Sequence, residues 1–295
     1  MAGTARRCRN RPDQIFGLKI ASRMPSAPDQ PQSKLITAAI GRILQEGSTA
    51  MLATLIEGER NVGAKLLVTE AGTFTGSFGD HELDEAVRSQ AIAFLSGHEE
   101  VKTSRVGDLA PKLSAWADTR VLLERIEPEP RLVICGAGHV GAALARLGSL
   151  IGYRVTLIDD RTEFVKSDLF SEELIEPVLA ASWAGELRAR IGNGRGVSVA
   201  IVTRGHKEDE ECLRAVVSSA PDYVGLIGSK RRTNFVLEKL REEGVGEEKL
   251  NKVHAPIGLD IGAVSPEEVA LAILAEIVAV RRGGKGGSLS KWRRT

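Results

Sequence analysis

Apolar positions after residue 32 follow helical spacing and then strand spacing. From Ser33 to Gly47, SKLITAAIGRILQEG places apolar residues every three or four positions, which predicts an amphipathic helix. Residues 49–79 contain three short apolar runs separated by turn signals at Gly58 and Gly72, which predicts three strands.

Helical spacing returns at residues 80–97, with Asp80 as the candidate cap, and RVLLERI at residues 120–126 has the pattern of a strand. These elements predict a mixed α+β domain over residues 33–126. The next segment, EPEP at residues 127–130, carries two prolines that end a strand and resist a helix. We therefore expect the domain boundary there.

Beyond the boundary, apolar runs alternate with helical patterns up to residue 283. The predicted strands are RLVIC, RVTLID, VSVAIVT and YVGLIG, with helical spacing between them. This alternation is typical of βαβ units and a parallel sheet. The sequence therefore predicts an α/β protein in which a Rossmann-like domain over residues 131–283 follows a smaller α+β domain.

Charge is balanced overall but uneven at the ends. The chain has 40 basic and 39 acidic residues among 295, so the body of the chain lacks the excess positive charge that would attract a nucleic acid. Residues 1–32 and 284–295 are basic and rich in Gly, Pro or Ser; we expect disordered tails, with nucleic-acid arms as the alternative. The N-terminal segment lacks the apolar core of a secretory signal, and it is either a weak targeting sequence or a start-site artefact with Met24 as the true start.

The three cysteines, Cys8, Cys135 and Cys212, lack the paired spacing of a zinc site and form no disulfide framework. No apolar run approaches the roughly 20 residues that a membrane-spanning helix needs. We therefore expect a cytoplasmic protein with no membrane span and no metal site.

A phosphate-binding motif is predicted where the first strand of the C-terminal domain meets its helix. Gly136, Gly138 and Gly141 form G-x-G-x-x-G after RLVIC, with roles in the turn, in phosphate approach and in helix packing. Asp159 ends the second strand 18 residues after Gly141, where a carboxylate can accept ribose hydroxyls. Arg161 could instead meet a 2′-phosphate, so NAD and NADP stay open, and glycines that serve packing alone are the alternative.

Two histidines are candidates for the same edge of the sheet. His139 lies in the first turn of the helix after the glycine motif, where it can contact a phosphate or simply be solvated. His206 follows a strand at its carboxyl end, and Asp209 lies three residues later. Open α/β sheets bind ligands at the carboxyl ends of their strands, so His206 and Asp209 are candidates for ligand binding. A structural capping turn is the alternative interpretation of this pair.

The segment LIGSKRRTN places cations where a helix disfavours them. Ser229 is the candidate cap, so Lys230, Arg231 and Arg232 occupy the first turn, at a cost of about 0.3–1 kcal/mol each. An anion should compensate, and a second phosphate site facing the glycine motif is one source of it. A solvated basic face is the alternative.

The last helix is predicted from SPEEVALAILAEIVAV. Ser265, Pro266 and Glu268 form a capping box with proline at the first helical position. The loop PIGLDIGA precedes this helix and carries one acid, Asp260. Loops at a sheet edge are where binding sites are built, and a plain turn is the alternative role for this acid.

The chain resembles the XdhC/CoxI family, accessory proteins of molybdenum hydroxylases, in the segments ERIEPEPRLVICGAGHVG, VTLIDDR, TRGHKED, YVGLIGSKRR and HAPIGLDIGAVSPEEVALAILAEIVA. The resemblance implies a non-catalytic chaperone that binds molybdenum cofactor (molybdopterin), assists its sulfuration by a cysteine desulfurase and delivers it to an apo molybdenum hydroxylase of the xanthine or carbon monoxide dehydrogenase type. The cofactor-binding residues that it implies are Gly136, Gly138, His139, Gly141, Asp159, His206, Asp209, Gly228, Ser229, Arg231, Gly258 and Asp260.

The N-terminal half resembles the family less closely. The family's GGGC-V-E run is replaced here by residues 79–84, with Glu82 at the place of the cysteine. A carboxylate is a poor ligand for a soft metal centre and cannot carry sulfur. If that cysteine serves the cofactor, this chain has an altered role; acids that favour the helix dipole are the alternative interpretation of the segment.

Two further functions fit the same motifs. An NAD(P)-dependent oxidoreductase is favoured by Asp159 and the complete glycine motif, but the chain's two tyrosines, Tyr153 and Tyr223, have no lysine at catalytic spacing and lie at predicted strand starts. An interaction scaffold that binds a dinucleotide for stability alone is the other. We expect a homodimer only on the general ground that twofold dimers are the commonest oligomers.

Overall fold

Two sheets make up the architecture. The computed structural model describes residues 30–166, 168, 170 and 172–290, so residues 1–29 of the predicted tail 1–32 and residues 291–295 of the predicted tail 284–295 lie outside the described residues. Residues 30–32, predicted as the end of the disordered tail, instead belong to the first helix. One sheet has five strands and the other has six. The prediction of an α/β protein with a Rossmann-like domain after a smaller α+β domain is confirmed.

The N-terminal domain contains α1 (Gln30–Glu46), β1 (Ala50–Glu57), β2 (Lys65–Thr69), β3 (Phe74–Gly76), α2 (His81–Arg88), α3 (Ala91–Ser96), β4 (Val101–Arg105), α4 (Val106–Leu109) and β5 (Arg120–Ile126). Its sheet has the order β3-β2-β1-β5-β4 and is antiparallel throughout. Helix α1 covers one face, where Ile36 and Ile43 pack against Leu52, and α2 and α3 cover the other, where Leu83 and Phe94 join the core.

Helix boundaries in this domain differ from the sequence pattern in two places. Helix α1 begins before the predicted cap at Ser33, and the Gln32 side chain donates to the Ser77 carbonyl over 2.8 Å. The helix predicted over 80–97 is divided into α2 and α3 by a turn at residues 89–90, where the Ser89 hydroxyl donates to the Ala86 carbonyl.

The C-terminal domain contains β6 (Arg131–Cys135), α5 (His139–Leu150), β7 (Arg154–Asp159), β8 (Ile175–Leu179), α6 (Trp183–Ile191), β9 (Val197–Ile201), α7 (His206–Ser219), β10 (Tyr223–Leu226), α8 (Lys230–Glu242), α9 (Glu247–Leu250), β11 (Val253–His254) and α10 (Pro266–Arg282). Its parallel sheet has the order β11-β10-β9-β6-β7-β8. The order reverses between β6 and β9, and open α/β sheets bind ligands outside the carboxyl ends of strands at such a point.

Helices cover both faces of the parallel sheet. Residues of α6, α7 and α8, such as Leu187 and Leu213, pack on one face, and residues of α5 and α10, such as Leu144 and Ile273, pack on the other. All four of these side chains are fully buried, and each contributes about 1.5–3 kcal/mol of transfer free energy. This packing fixes where the loops at the strand ends lie.

The two domains meet at the amino ends of the parallel strands. The contacts pair Asn193 with the Glu46 carbonyl, Arg195 with Glu70, Arg281 with Glu127 and Arg282 with Glu100. A cavity of about 400 Å³ lies between them, with Glu127, Arg195 and Asp222 in its lining. Among the residues that the structure describes, no helix is both long and apolar enough to cross a bilayer.

Candidate functional site

The predicted cofactor-binding residues lie at or beyond the carboxyl ends of the parallel strands, which we call the carboxyl edge. Gly136, Gly138, His139 and Gly141 follow β6; Asp159 ends β7; His206 and Asp209 follow β9; Gly228, Ser229 and Arg231 follow β10; Gly258 and Asp260 follow β11. The fold therefore brings five separate loops to one edge of the sheet. The role of each residue in binding stays a prediction.

The three glycines of the motif have three different surroundings. Gly136 has φ of 110°, and a methyl group there would lie 2.6 Å from the Val202 carbonyl oxygen. A methyl group on Gly141 would lie 1.8 Å from the Gly136 carbonyl oxygen. Gly138, at the start of α5, has nothing within 4 Å of that position. The first and third glycines serve the turn and the packing, and the second faces open space.

Asp159 is buried and has hydrogen bonds to both carboxylate oxygens. Its Oδ2 accepts from the Ala137 N–H over 2.7 Å and from Arg161 Nη2 over 2.9 Å. Its Oδ1 accepts from the N–H and the Nε of Arg161 over 3.0 and 2.8 Å. Asp159 therefore holds the glycine loop, and Arg161 must move before this carboxylate can accept ribose hydroxyls.

A second ion pair joins Asp160 and Arg204. The Arg204 guanidinium donates through Nη1 and Nη2 to the two carboxylate oxygens over 2.7 and 3.0 Å. This hydrogen bonding lowers the pKa of Asp160 and raises that of Arg204. Neither residue was among the site residues predicted from the sequence, although both lie next to predicted strand ends.

Asp209 is fully buried at the start of α7 and supplies the anion for one of the three cations in the first turn of α8. It accepts from the Thr203 hydroxyl, from Arg232 Nε over 2.9 Å and from Arg232 Nη2. Burial raises the pKa of Asp209, and the hydrogen bonds from Thr203 and Arg232 oppose that shift. His206 is exposed, and its ring packs edge-on against Phe235 with 5.8 Å between centroids.

The start of α8 leaves two cations exposed. Ser229 caps the helix, because its hydroxyl accepts from the Arg232 N–H over 3.3 Å, as the sequence predicts. Lys230 and Arg231 are exposed, and within the described part of the chain neither has an acidic partner. These two side chains are available to an anionic ligand.

The loop between β11 and α10 is held by a partly buried glutamate. Gly258 has φ of 103°, and its N–H donates to Glu276 over 2.8 Å. The same carboxylate accepts from the Tyr223 hydroxyl over 2.6 Å. Asp260 is exposed, and the capping box at Ser265 is present. The glycine-rich loop therefore has a fixed start and presents Asp260 to solvent.

A cavity of about 360 Å³ opens at the carboxyl edge. Its lining includes Asp160, residues 180–183, Lys207, Glu208 and Glu211. The larger cavity between the domains lies at the opposite edge of the sheet, remote from the glycine motif, so cavity size does not select the site. Within the described residues, no three His, Cys, Asp or Glu side chains form a metal-binding group.

Glu82, at the place of the family's cysteine, is exposed in the first turn of α2. The acids around it have structural partners in the N-terminal domain. Asp80 accepts from Trp116 Nε1 over 2.9 Å and caps α2, as the sequence predicts. Asp84 accepts from the Ser77 hydroxyl over 2.6 Å and from the Phe78 N–H over 2.8 Å.

Two family models match the chain. The XdhC Rossmann domain matches residues 132–277, and the XdhC and CoxI family matches residues 43–106. The chain belongs to the XdhC/CoxI family. The glycine motif and the four other loops of the carboxyl edge lie within the first match, and Glu82 lies within the second.

Three relatives have significant similarity to this XdhC/CoxI chain. The uncharacterized protein YqeB of Escherichia coli (strain K12) is 30% identical over 234 residues, 77% of this chain and 42% of the relative. A protein of Bacillus subtilis (strain 168) described as a probable xanthine dehydrogenase subunit is 27% identical over 217 residues, 74% and 57% of the two chains. The molybdenum cofactor insertion chaperone PaoD of E. coli (strain K12) is 22% identical over 275 residues, 81% and 85% of the two chains.

The chain thus spans about half the length of the first two relatives, 42% and 57%. A crystal structure of a xanthine dehydrogenase from Bacillus halodurans shares the fold. Its TM-score is 0.63 at 19% identity, over 83% of this chain and 66% of that chain.

Proposed function

We propose that this protein is a maturation factor that binds molybdenum cofactor and assists its sulfuration and its insertion into an apo molybdenum hydroxylase. The observation that carries the proposal is the open space at Gly138, on the same edge as the exposed cations Lys230 and Arg231. The name of the PaoD relative, a molybdenum cofactor insertion chaperone, supports this choice of ligand.

The residues present fit a pterin that carries a terminal phosphate. The backbone at Gly138 and the start of α5 would receive the phosphate, because helix N-termini favour anions. Lys230 and Arg231 would neutralise its charge, and the loop from Gly258 to Asp260 would border the ligand. When bound, the cofactor supplies the metal centre that the client enzyme uses.

The positions of the cysteines limit how this chain takes part in sulfuration. Cys135 and Cys212 are fully buried, and burial raises the pKa of Cys212. A buried thiol with a raised pKa is a poor nucleophile. Cys8 lies outside the described residues. We therefore propose that neither thiol carries the sulfur atom that is transferred to the cofactor. The cysteine desulfurase would instead act on cofactor that this protein holds.

A nicotinamide-dependent oxidoreductase is the second candidate for the same site. The strand order and the glycine geometry favour a dinucleotide. Tyr153 and Tyr223, however, are buried beside the amino ends of β7 and β10, at the edge opposite the glycine loop. Both side chains are almost fully buried, and the Tyr223 hydroxyl donates to Glu276, the carboxylate that also holds the Gly258 N–H. Neither phenol is exposed to a ligand, so this proposal gives the protein binding without turnover.

The proposal is tested by co-purification with an Arg231→Glu variant. The protein is produced in a host that makes molybdenum cofactor and is purified without oxygen. Molybdenum, oxidised pterin fluorescence and NAD(P) are then measured. We expect near-stoichiometric metal and pterin with the unmutated protein, and about a tenfold loss with Arg231→Glu, since a charge-assisted hydrogen bond contributes about 1.5–3 kcal/mol.

The melting temperature separates this loss from misfolding. An acid in the first turn of α8 favours the helix dipole, so Arg231→Glu should melt at the same temperature or slightly higher. Arg42→Glu, a charge reversal at an exposed position of α1, is the matched control and should retain the cofactor. NAD(P) without pterin would favour the oxidoreductase, and full retention by Arg231→Glu would remove this cation from the site.

A further inference from the structure

The Asp160–Arg204 ion pair spans the end of the strand that carries the glycine motif. Strand β6 lies between β7 and β9, and Cys135 is opposite Ile158 on one side and Ile201 on the other. Asp160 directly follows β7, and Arg204 follows β9. Because neighbouring strands are about 4.8 Å apart, β7 and β9 are separated by about 10 Å. The contact between the two side chains therefore bridges the carboxyl end of β6, where the glycine loop begins.

The same ion pair borders the cavity of about 360 Å³ at this edge. Asp160 and Glu208 both line the cavity, and the Arg204 guanidinium is 3.6 Å from Glu208. A ligand that placed a phosphate on the glycine loop and a ring in this cavity would have to pass the pair.

Three Asp–Arg pairs at the carboxyl edge differ in what their carboxylates can do. The side chains of Asp159 and Asp209 are 1% and 0% exposed, so separating either pair would leave a buried carboxylate without its charged partner, which is costly. Asp160 is 32% exposed and its partner Arg204 is 45% exposed. An exposed pair contributes about 0–1 kcal/mol, so separating it costs little. Among the three Asp–Arg pairs described at this edge, Asp160–Arg204 is therefore the one that separates at the lowest cost in free energy.

We propose that the Asp160–Arg204 ion pair is an electrostatic latch over the glycine loop, and that it opens when a phosphate of the ligand replaces Asp160 on Arg204. The inference rests on the proposed function, because it needs a phosphate-bearing ligand at the carboxyl edge. A guanidinium binds carboxylates and phosphates with the same bidentate geometry, so one anion can take the place of the other. Arg204 is then an anion-binding residue, and Asp160 competes with the ligand for it.

The test uses inorganic pyrophosphate as the probe and isothermal titration calorimetry of the full chain at low salt. Asp160→Asn removes the competing charge and should bind pyrophosphate about fivefold more tightly, a change equal to about 1 kcal/mol. Arg204→Gln should bind at least about tenfold more weakly. The double variant should bind like Arg204→Gln, because Asp160 acts through Arg204.

Glu243→Gln is the matched control. It disrupts the Arg214–Glu243 pair, which is also bidentate, with distances of 2.8 and 2.7 Å, and is similarly exposed. It should leave the pyrophosphate affinity unchanged. If Asp160→Asn unfolds, as seen by circular dichroism, Asp160→Ser replaces it.

Three results would overturn the latch. These are an Asp160 variant that binds pyrophosphate no more tightly than the unmutated protein, an Arg204→Gln variant that keeps the unmutated affinity for pyrophosphate, and a lack of pyrophosphate binding by any folded form. The pterin content of the same preparations keeps the two proposals apart. Variant effects on pyrophosphate without co-purified pterin would support the latch and remove the cofactor assignment. If the unmutated protein contains pterin but Asp160→Asn leaves the pyrophosphate affinity unchanged, the cofactor assignment would stand and the latch would be removed.

Discussion

At the scale of single residues, three carboxylates of the carboxyl edge are already bound by arginines of the same chain, while Asp260 is exposed. Asp159 holds Arg161, Asp160 holds Arg204, and Asp209 holds Arg232. The exposed cations Lys230 and Arg231 remain. The edge therefore offers an incoming ligand positive charge and open backbone at Gly138, which suits a phosphate group.

Asp80 is a residue whose loss should lower stability without touching this edge. Its Oδ1 accepts from the N–H groups of Glu82 and Leu83 over 3.0 and 3.1 Å, and its Oδ2 accepts from Trp116. Asp80→Ala removes all three bonds, and we expect the free energy of unfolding to fall by about 1–2 kcal/mol. Urea denaturation followed by circular dichroism at pH 7 measures this. Glu82→Ala, in the same turn but exposed, should change it by less than about 0.5 kcal/mol.

The effect of Asp80 should depend on pH in a defined direction. Hydrogen bonds from Trp116 and from the Leu83 N–H lower the pKa of Asp80 below its ordinary value of 3.8. A carboxyl group whose pKa is lower in the folded state stabilises the fold above the unfolded pKa of about 3.9, and this stabilisation is lost as pH falls through the folded pKa. The gap between Asp80→Ala and the unmutated protein should therefore shrink below about pH 4. A gap that widens in acid would contradict this account.

At the scale of elements, the sequence predicts strands that lie inside a sheet better than strands at its edges. Strands β6, β7, β9 and β10 are continuous apolar runs, because helices cover both of their faces. The edge strands β4 and β8 were not predicted: β4 is mostly exposed, and β8 contains Pro177. Strand β11, at the other edge of the parallel sheet, has two residues. Of the four edge strands only β3, which the turn signal at Gly72 separates from β2, was predicted. The other three are too short or bury too little to produce a clear pattern.

The candidate site was predictable at the level of loops and not at the level of side-chain partners. The glycine motif and the strand pattern place five loops at one edge, since parallel strands share their carboxyl ends. The pairing of Arg204 with Asp160 joins residues 44 positions apart, and that of Arg232 with Asp209 joins residues 23 apart. No local pattern encodes such pairs. The anion predicted for the start of α8 is thus partly Asp209 itself.

At the scale of the whole molecule, ion pairs dock the N-terminal domain onto the amino ends of the parallel strands. Arg281 with Glu127 and Arg282 with Glu100 link α10 to that domain, whereas the predicted site residues lie at the opposite edge. The C-terminal domain therefore provides the candidate binding loops. The contacts of the N-terminal domain contribute to stability.

The two ion pairs of α10 should differ in their contribution to the melting temperature. Both members of Arg281–Glu127 are less than a third exposed, and the Arg281 guanidinium lies 5.7 Å from the centre of the Tyr153 ring. Glu127→Gln leaves a half-buried charge unpaired, so we expect a loss of about 1–2 kcal/mol. Glu100→Gln disrupts a more exposed pair and should cost less than about 1 kcal/mol. Equal melting temperatures for the two variants would contradict this ranking.

A side chain placed at Gly138 tests most directly the proposal that molybdenum cofactor is held there. Gly138 has φ of −66° and open space above it, so Gly138→Val fits the backbone and fills the position proposed for the ligand phosphate. Gly246→Val is the matched control, because Gly246 also precedes a helix, with φ of −63° and nothing within 4 Å.

The measurement is the molybdenum and pterin content of the two variants and the unmutated protein, all purified without oxygen from the same host. The free energy of unfolding of both variants should lie within about 1 kcal/mol of that of the unmutated protein, as expected for a glycine replaced at a helix cap. Gly138→Val should retain less than about a tenth of the cofactor, while Gly246→Val retains all of it. Equal cofactor content in the two folded variants would contradict the account, because the cofactor would then be held elsewhere.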